Sequence, residues 1–398
     1  MEKYMKKSLL ALSFGGLTIG ITEFVMMGLL PDIATDLSVS IPTAGYLISA
    51  YALGVVIGAP TLVIMTRNHP PKRILLLLAA MLAGFNALSI IAPNYELLFV
   101  SRLLSGLPHG AFFGVGAVVA SRLATKGKEA QAISIMFAGL TLANLFGVPL
   151  ATYVGHHFSW RYSFAIVAII GVITFVSLIF WMPVMESGKK ESIRNQLNFF
   201  RNMRAWYIIL ITAIGFGGLF CWISYIAPLL TDISGFASGD VSTILILAGF
   251  GMVVGNFLGA KLADRYSPAK IILVLLLIMA LDLTIVMFGS SNQVVSLIMV
   301  FFTGCISFSV VAPIQMLMIQ TAVGAEMIAS AALQASFNIG NALGAFLGGV
   351  PLVMGYDFTS PNLVGLMMAL AGAMITALLI LKSRGQSEAV TAREVSDK

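Results

Sequence analysis

The chain has 398 residues, of which 10% are charged and 59% are hydrophobic, and its mean hydropathy is +0.96. Soluble domains carry about 25% charged residues, so this composition excludes a soluble protein and indicates an integral membrane protein. The formal net charge is +6, but the basic residues lie in short clusters between apolar runs, which argues against a nucleic-acid partner.

Apolar runs of about 20 residues predict an all-α protein, because a helix of that length crosses a hydrocarbon core of ~30 Å. We expect twelve transmembrane spans, near residues 8–30, 43–65, 74–92, 97–122, 130–154, 162–183, 205–230, 241–262, 270–288, 294–320, 326–350 and 362–382. With the N-terminus inside, every basic cluster between spans is cytoplasmic and Arg161 alone is outside. The positive-inside rule therefore predicts that both termini are cytoplasmic.

The connection at residues 185–204 separates six spans from six. We expect an N-terminal bundle at 1–184, a cytoplasmic linker at 185–204, a C-terminal bundle at 205–384 and an unstructured tail at 385–398. Ile193, Leu197 and Phe200 recur at helical spacing in the linker. The linker is thus either a helix on the membrane surface or a solvated basic segment.

The two halves repeat in sequence. A shift of 197 residues aligns Pro31 with Pro228 and Asn144 with Asn341. Since six spans separate the copies, both run in the same direction across the membrane. Parallel repeats of this kind are a transporter architecture and predict a cavity between the halves near mid-membrane.

Arg102 lies in an otherwise apolar span, where an arginine costs ~2.5 to 3.5 kcal/mol and needs a protein or water environment. Glu23 is seven residues from the outer end of span 1 and Arg102 is about five from that of span 4, so both lie roughly 8–10 Å below the outer surface. The match in depth predicts a proton-coupling pair. The alternative is a static ion pair that locks spans 1 and 4 together.

Five other residues are candidates for substrate binding. Titratable His109 suits proton relay or substrate contact, and the equivalent amides of Asn144 and Asn341 suit ligands that carry hydroxyl groups. Phe113 and Tyr225 suit an apolar or sugar-stacking pocket. Hydrogen bonding between helices and aromatic packing are the alternatives for all five.

Four stretches together carry a family resemblance: TEFVMMGLLPDIATDL from Thr22, the R-x-x-x-G-x-x-x-G pattern from Arg102, NLFGVPLATYVG from Asn144 and LADRYSPAK from Leu262. They resemble the major facilitator superfamily, within it the drug:proton antiporters and most closely the arabinose-efflux-permease-like subgroup. The resemblance implies the two-bundle major facilitator fold in a bacterial inner membrane. It also implies a monomer that exports sugars or small amphipathic compounds, including drugs, by alternating access.

The resemblance further implies a cytoplasmic gate formed by Arg67, Asp264 and Arg265. Thr66 stands where the family has an aspartate before Arg67, so we expect an asymmetric gate. The resemblance also places Asp282 on the scaffold side, in a structural or water-exposed role.

The antiporter-motif helix of the family corresponds to the segment with Gly147 and Pro149, but Val148 separates them where the family has them adjacent. This departure keeps a proton-coupled importer or a uniporter of a small polar metabolite open as an alternative. An embedded enzyme is disfavoured because no nucleophile with a general base and no metal-ligand spacing is present. We expect no metal and no cofactor, and a small molecule, protons and the bilayer as partners.

Overall fold

The computed structural model describes residues 2–39, 41–186, 198–237 and 240–396. Its described residues form helices and connections without strands, and twelve helices are long and apolar enough to cross a membrane. The twelve predicted spans are confirmed. The helices are α1 (Glu2–Asp36), α2 (Ile41–Thr66), α3 (Pro71–Ile90), α4 (Tyr95–Leu123), α5 (Glu129–His157), α6 (Trp160–Trp181), α7 (Met203–Ile223), α8 (Val241–Arg265), α9 (Pro268–Gly289), α10 (Gln293–Thr321), α11 (Glu326–Val353) and α12 (Ser360–Ser396).

Helix starts follow local signals in the sequence. The side chains of Asn94, Ser159 and Asn292 accept hydrogen bonds from backbone N–H groups in the first turns of α4, α6 and α10, which satisfies donors that a helix leaves free. Pro71 and Pro268 occupy the first positions of α3 and α9, where the missing N–H is harmless. These two prolines are equivalent in the two halves.

Three helices are interrupted. A π-helical turn at Ala143–Gly147 precedes Pro149 in α5, and another at Ile211–Phe216 interrupts α7. α10 breaks at Val310, three residues before Pro313. Proline removes a helical hydrogen bond, so π turns and breaks next to Pro149 and Pro313 are the expected response.

The same helix pairs pack in both halves. In the first half, α1 contacts α5 and α6, α2 contacts α4, and α3 contacts α4 and α6. In the second half, α7 contacts α11 and α12, α8 contacts α10, and α9 contacts α10 and α12. Gly58 faces the backbone of Leu107 in the first half, and Gly255 faces that of Cys305 in the second. The structure therefore consists of two parallel six-helix repeats.

Between the repeats, α4 and α2 contact α11, and α5 contacts α8 and α10. We name the two ends of the bundle by the charges of their connections. The basic face carries the N-terminus and the start of α5, and the acidic face carries Asp32 and Asp36.

The structure describes the predicted linker helix only in part and describes the predicted tail as far as Ser396. Ile193 and Leu197 of the proposed linker helix lie outside the described residues, and Phe200 belongs to a short 3-10 turn at Phe199–Arg201. The tail expected to be unstructured continues α12 as helix to Ser396. Its Glu and Ala residues have high helix propensity and follow an existing helix, which removes the cost of nucleation.

We expect Gly255→Leu to prevent stable folding, because a Cβ at this position would overlap the Cys305 carbonyl of α10. Overpacking of this kind costs about 3 kcal/mol or more when backbone must move. The yield and melting temperature of detergent-purified protein measure the effect. Gly84→Leu is the matched control, since nothing lies within 4 Å of a Cβ there; equal losses in both variants would contradict the prediction.

Candidate functional site

Arg102 is completely buried, at 0% exposure, within the first repeat. Its Nη1 donates to the hydroxyl of Thr22 at 2.9 Å. Its guanidinium lies over the ring of Tyr51 at 4.5 Å and over that of Phe164 at 5.6 Å. Nε and Nη2 have no hydrogen-bond partner among the described residues. The charge is therefore held by two aromatic faces and one hydroxyl, with two donors unused.

Glu23 follows Thr22 in α1 and is half-buried. Within the described ranges, no nitrogen of Arg102 lies within 4.0 Å of a carboxylate oxygen. Glu23, Tyr51 and Arg102 are nevertheless close enough to interact electrostatically. Glu23 and Arg102 are thus close enough for their charges to interact, but no ion pair joins them in this conformation. Proton coupling by the two residues stays a prediction.

A polar network extends from Arg102 through the first four helices. The Thr22 hydroxyl donates to Asn86 Oδ1 at 2.6 Å. On the other side of the guanidinium, the Tyr51 hydroxyl lies 3.1 Å from His109 Nδ1. Arg102 and His109 are therefore linked through Tyr51. Tyr51 and Asn86 are not among the residues predicted from the sequence; an amide in the middle of an apolar span was the available signal for Asn86.

The predicted substrate residues fall into different settings. Phe113 is fully buried and stacks on Phe137 at a centroid distance of 4.8 Å. It also meets the rings of His109 at 5.4 Å and Phe112 at 6.5 Å edge to face. The Tyr225 hydroxyl donates to the Ala345 carbonyl of α11 at 2.7 Å. His109 and Phe113 are therefore brought together in the first repeat, whereas Tyr225 packs on α11 in the second.

Asn144 and Asn341 are both half-buried, in α5 and α11. Asn144 lies in the π turn with Gly147, next to Pro149, and its Nδ2 donates to the Leu140 carbonyl of its own helix at 3.2 Å. The side-chain oxygen of Asn144 thus takes no part in that hydrogen bond. A π turn places side chains out of the normal helical register, which is frequent at functional sites.

At the basic face, Asp264 at the end of α8 binds the start of α5 in the other repeat. Its Oδ1 accepts a hydrogen bond from the Ala130 N–H at 2.7 Å, and its Oδ2 accepts one from the Gln131 N–H at 2.9 Å. A carboxylate at a helix N-terminus satisfies free donors and interacts favourably with the helix dipole.

Asn256, two turns before Asp264 on α8, adds a further bond between the repeats that the sequence analysis missed. Its Nδ2 donates to the Ser134 carbonyl of α5 at 2.7 Å. The side chain is completely buried, and its Oδ1 has no partner within the described part of the chain. The seam between α5 and α8 is thus held by three hydrogen bonds near the basic face.

The other predicted gate residues act within their own helices in this conformation. Arg67 Nη1 donates to the Ile64 carbonyl at 2.8 Å, and the guanidinium of Arg265 lies 5.6 Å from the ring of Tyr266. Across the seam with α11, Arg122 and Glu326 approach to 3.8 Å. The described hydrogen bonds and ion pair between the repeats all lie toward the basic face, so the two repeats are joined at that face.

The acidic-face end of α1 is tied to α6 within the first repeat. Asp36 accepts hydrogen bonds from Arg161 at 2.5 Å and from the Trp160 indole at 2.9 Å. These bonds, that of Arg161 foremost, lower the pKa of Asp36 below its ordinary value. They fix the end of the helix that carries Glu23.

Comparison with known proteins supplies a family. A family model described as Major Facilitator Superfamily matches residues 12–332. The "Inner membrane transport protein YdhP" of Escherichia coli (strain K12) is 40% identical, with 96% of this chain and 97% of that protein covered. A "Probable sugar efflux transporter" of Helicobacter pylori (strain G27) is 29% identical, with 88% and 89% covered. The solved fucose:proton symporter FucP of Escherichia coli shares the fold, with a TM-score of 0.74 at 15% identity over 93% of this chain and 98% of that chain.

Proposed function

Because the chain belongs to the Major Facilitator Superfamily and is a multi-pass membrane transporter rather than an enzyme, we propose that it is a proton-coupled antiporter that exports sugars or small amphipathic compounds. The observation that carries the proposal is the arrangement of Glu23. Its carboxyl lies beside a buried arginine without being locked to it, in a helix that packs against the other five of the same repeat.

A carboxyl in this position responds to small changes in its surroundings. Burial disfavours the ionised form, while the Arg102 charge favours it, so the balance depends on hydration and on the distance to Arg102. Substrate entry and closure of the cavity change both. Binding of a proton and binding of substrate are therefore coupled, which is what an antiporter requires.

Export of sugars is proposed from the relative named for sugar efflux, and it fits the polar groups that we expect to face a cavity between the repeats. Asn144 and Asn341 offer amides to hydroxyl groups from opposite repeats, and His109 lies between Tyr51 and Phe113. The rigid turn with Gly147 and Pro149 positions Asn144. Drug export is the same proposal with an amphipathic substrate.

We further propose an inner-membrane location with both termini in the cytoplasm, so that the basic face is cytoplasmic. The monomer then rocks as two bodies, 1–184 and 205–384, about the inter-repeat contacts. In this proposal the hydrogen bonds between the repeats at the basic face close the cytoplasmic side.

Asp264, with Asn256, forms the cytoplasmic gate in this proposal. Since Thr66 replaces the carboxylate in the first repeat and donates to Leu62 of its own helix at 2.6 Å, the gate is asymmetric. The α5–α8 seam is held by hydrogen bonds, while the α4–α11 seam is closed by the small residues Gly110, Gly114 and Ala331.

Asp264→Asn should open the cytoplasmic side, because it removes the charge and one of two acceptors at the start of α5. Helix-terminus charges contribute up to ~2 kcal/mol when partly buried, so the open population should rise by about tenfold or more. Thiol labelling of Ser134→Cys, in a background with Cys221 and Cys305 replaced by alanine, measures this.

Glu129→Gln is the matched control. It removes the same charge at the same helix end, but Glu129 accepts a bond from Gly127 within its own repeat. Equal labelling rates in Asp264→Asn and the parent protein would remove Asp264 from the gate.

The function itself is tested in proteoliposomes with an imposed pH gradient and a panel of sugars and drugs. A gradient of one pH unit supplies about 1.4 kcal/mol per proton, enough for a tenfold substrate gradient at one proton per substrate. Accumulation should follow the gradient and collapse with a protonophore. Saturable substrate flux that does not depend on the pH gradient would indicate a uniporter. Uphill movement of substrate in the same direction as the proton would indicate an importer.

A further inference from the structure

Asp282 in α9 is the buried carboxyl that the proposed function does not use. It is 3% exposed, and neither of its oxygens has a hydrogen-bond partner within the described residues. Charged side chains without partners are strongly disfavoured in a low-dielectric interior, which makes this residue an unexplained polar group rather than a packing element.

The polar neighbour of Asp282 is Thr303 of α10, whose hydroxyl interacts with the carboxyl. That hydroxyl has one proton, which serves one acceptor at a time. Thr303 Oγ1 donates to the Met299 carbonyl at 2.7 Å. While that bond is made, the hydroxyl presents lone pairs to Asp282, and a protonated carboxyl can donate to them.

In the part of the chain that the structure describes, no cation lies at the depth of Asp282 to hold it ionised. The helices that pack against α9 are α8, α10 and α12. α10 contains no charged residue, and the charged residues of α8 and of the membrane-crossing part of α12 are at their basic-face ends: Lys261, Asp264, Arg265 and Lys382. The titratable group that does interact with Asp282 is the thiol of Cys305, which supplies no positive charge.

The equivalent seam of the first repeat shows the contrast. Between α3 and α4, the hydroxyls of Ser89 and Ser101 bond to each other at 2.9 Å. Asn86 accepts from Thr22 at 2.6 Å and donates to its own helix. These polar groups are neutral and paired, and they need no further ligand. The α9–α10 seam holds an acid instead, with the place of a donor unfilled.

We propose that Asp282 is a proton-binding site in the second repeat, separate from Glu23. The proton bound to Asp282 donates to Thr303 and keeps the Asp282 carboxyl neutral while the basic face is closed. A metal ion does not fit, because it would need several oxygen ligands and the described residues contain no group of three or more His, Cys, Asp or Glu side chains. The proposal rests on the burial of Asp282 and not on the direction or coupling of transport.

Infrared spectroscopy of the full-length protein in lipid nanodiscs at neutral pH tests this directly. The spectrum should contain the carbonyl stretch of a protonated carboxyl that shifts in D₂O, and Asp282→Asn should remove that band. Asp357→Asn is the matched control. Asp357 is on an acidic-face connection, and hydrogen bonds from Thr359 lower its pKa, so its substitution should leave the band unchanged.

Thr303→Val should shift the Asp282 band without removing it, and this variant keeps the test decisive if Asp282→Asn folds poorly. A spectrum that is identical in wild type, Asp282→Asn and Thr303→Val would overturn the proposal. So would a sodium-dependent rise in melting temperature that Asp282→Asn abolishes, since it would assign a cation to the site. None of these readouts involves substrate. The proton site at Asp282 can therefore be disproved while antiport by Glu23 is confirmed, and antiport can be disproved while the proton site is confirmed.

Discussion

Arg102→Ala should abolish proton-driven transport while the protein still inserts and folds in the membrane. Insertion does not depend on this residue, since removal of an intramembrane arginine relieves a cost of ~2.5 to 3.5 kcal/mol. Transport depends on it because the charge beside Glu23 is what makes that carboxyl sensitive to its surroundings. Substrate flux in proteoliposomes under a pH gradient is the measurement, with folded protein quantified by gel filtration.

Two further variants separate the charge of Arg102 from its packing. Arg102→Lys keeps the charge but loses the planar group that stacks on Tyr51 and Phe164, so we expect partial activity. Arg161→Ala removes an arginine from the acidic face, where it bonds Asp36, and should retain coupled transport. Near-normal proton-driven flux in Arg102→Ala would show that this arginine is not essential.

The neighbours of Arg102 show what the sequence could and could not predict. Equal depth in spans 1 and 4 placed Glu23 and Arg102 near one another, because depth depends only on the rise per residue. Successive residues of a helix are about 100° apart, so depth does not decide whether Thr22 or Glu23 faces the guanidinium. The structure brings Thr22 into contact, with Glu23 alongside. That choice depends on the rotation of α1, which tertiary packing sets.

The same distinction holds elsewhere in the chain. The twelve spans were predictable because each is a long local signal that the bilayer imposes. The family resemblance implied that Asp264 belongs to a cytoplasmic gate. Its partner, the start of α5, was not predictable, since the contact joins residues from different repeats. Asn256 offered the same local signal as Asn86, an amide in an apolar span, but the signal does not identify its partner, Ser134, which lies more than a hundred residues earlier.

Glu23→Gln should uncouple substrate movement from the proton gradient without stopping it. Glutamine matches the protonated acid in shape and neutrality, and Arg102 keeps its contacts with Thr22 and Tyr51, so the binding site remains assembled. We therefore expect normal exchange of labelled substrate between equal pools. Accumulation should be lost, because no proton leaves or joins residue 23 during the cycle. Proteoliposomes loaded for exchange or for gradient-driven uptake measure the two activities in one preparation.

The control is Glu96→Gln, which removes an exposed carboxylate from the acidic-face end of α4 and should leave both activities intact. The comparison is decisive because the two substitutions change the net charge equally, while only one lies beside Arg102. If Glu23→Gln still accumulated substrate in a pH-dependent way, the exchanged proton would be carried elsewhere. His109 would then be the next candidate, since the Tyr51 hydroxyl connects its ring to the face of the Arg102 guanidinium. Asp282 would be the other candidate, because it is a buried carboxyl whose proposed proton is bound while the basic face is closed.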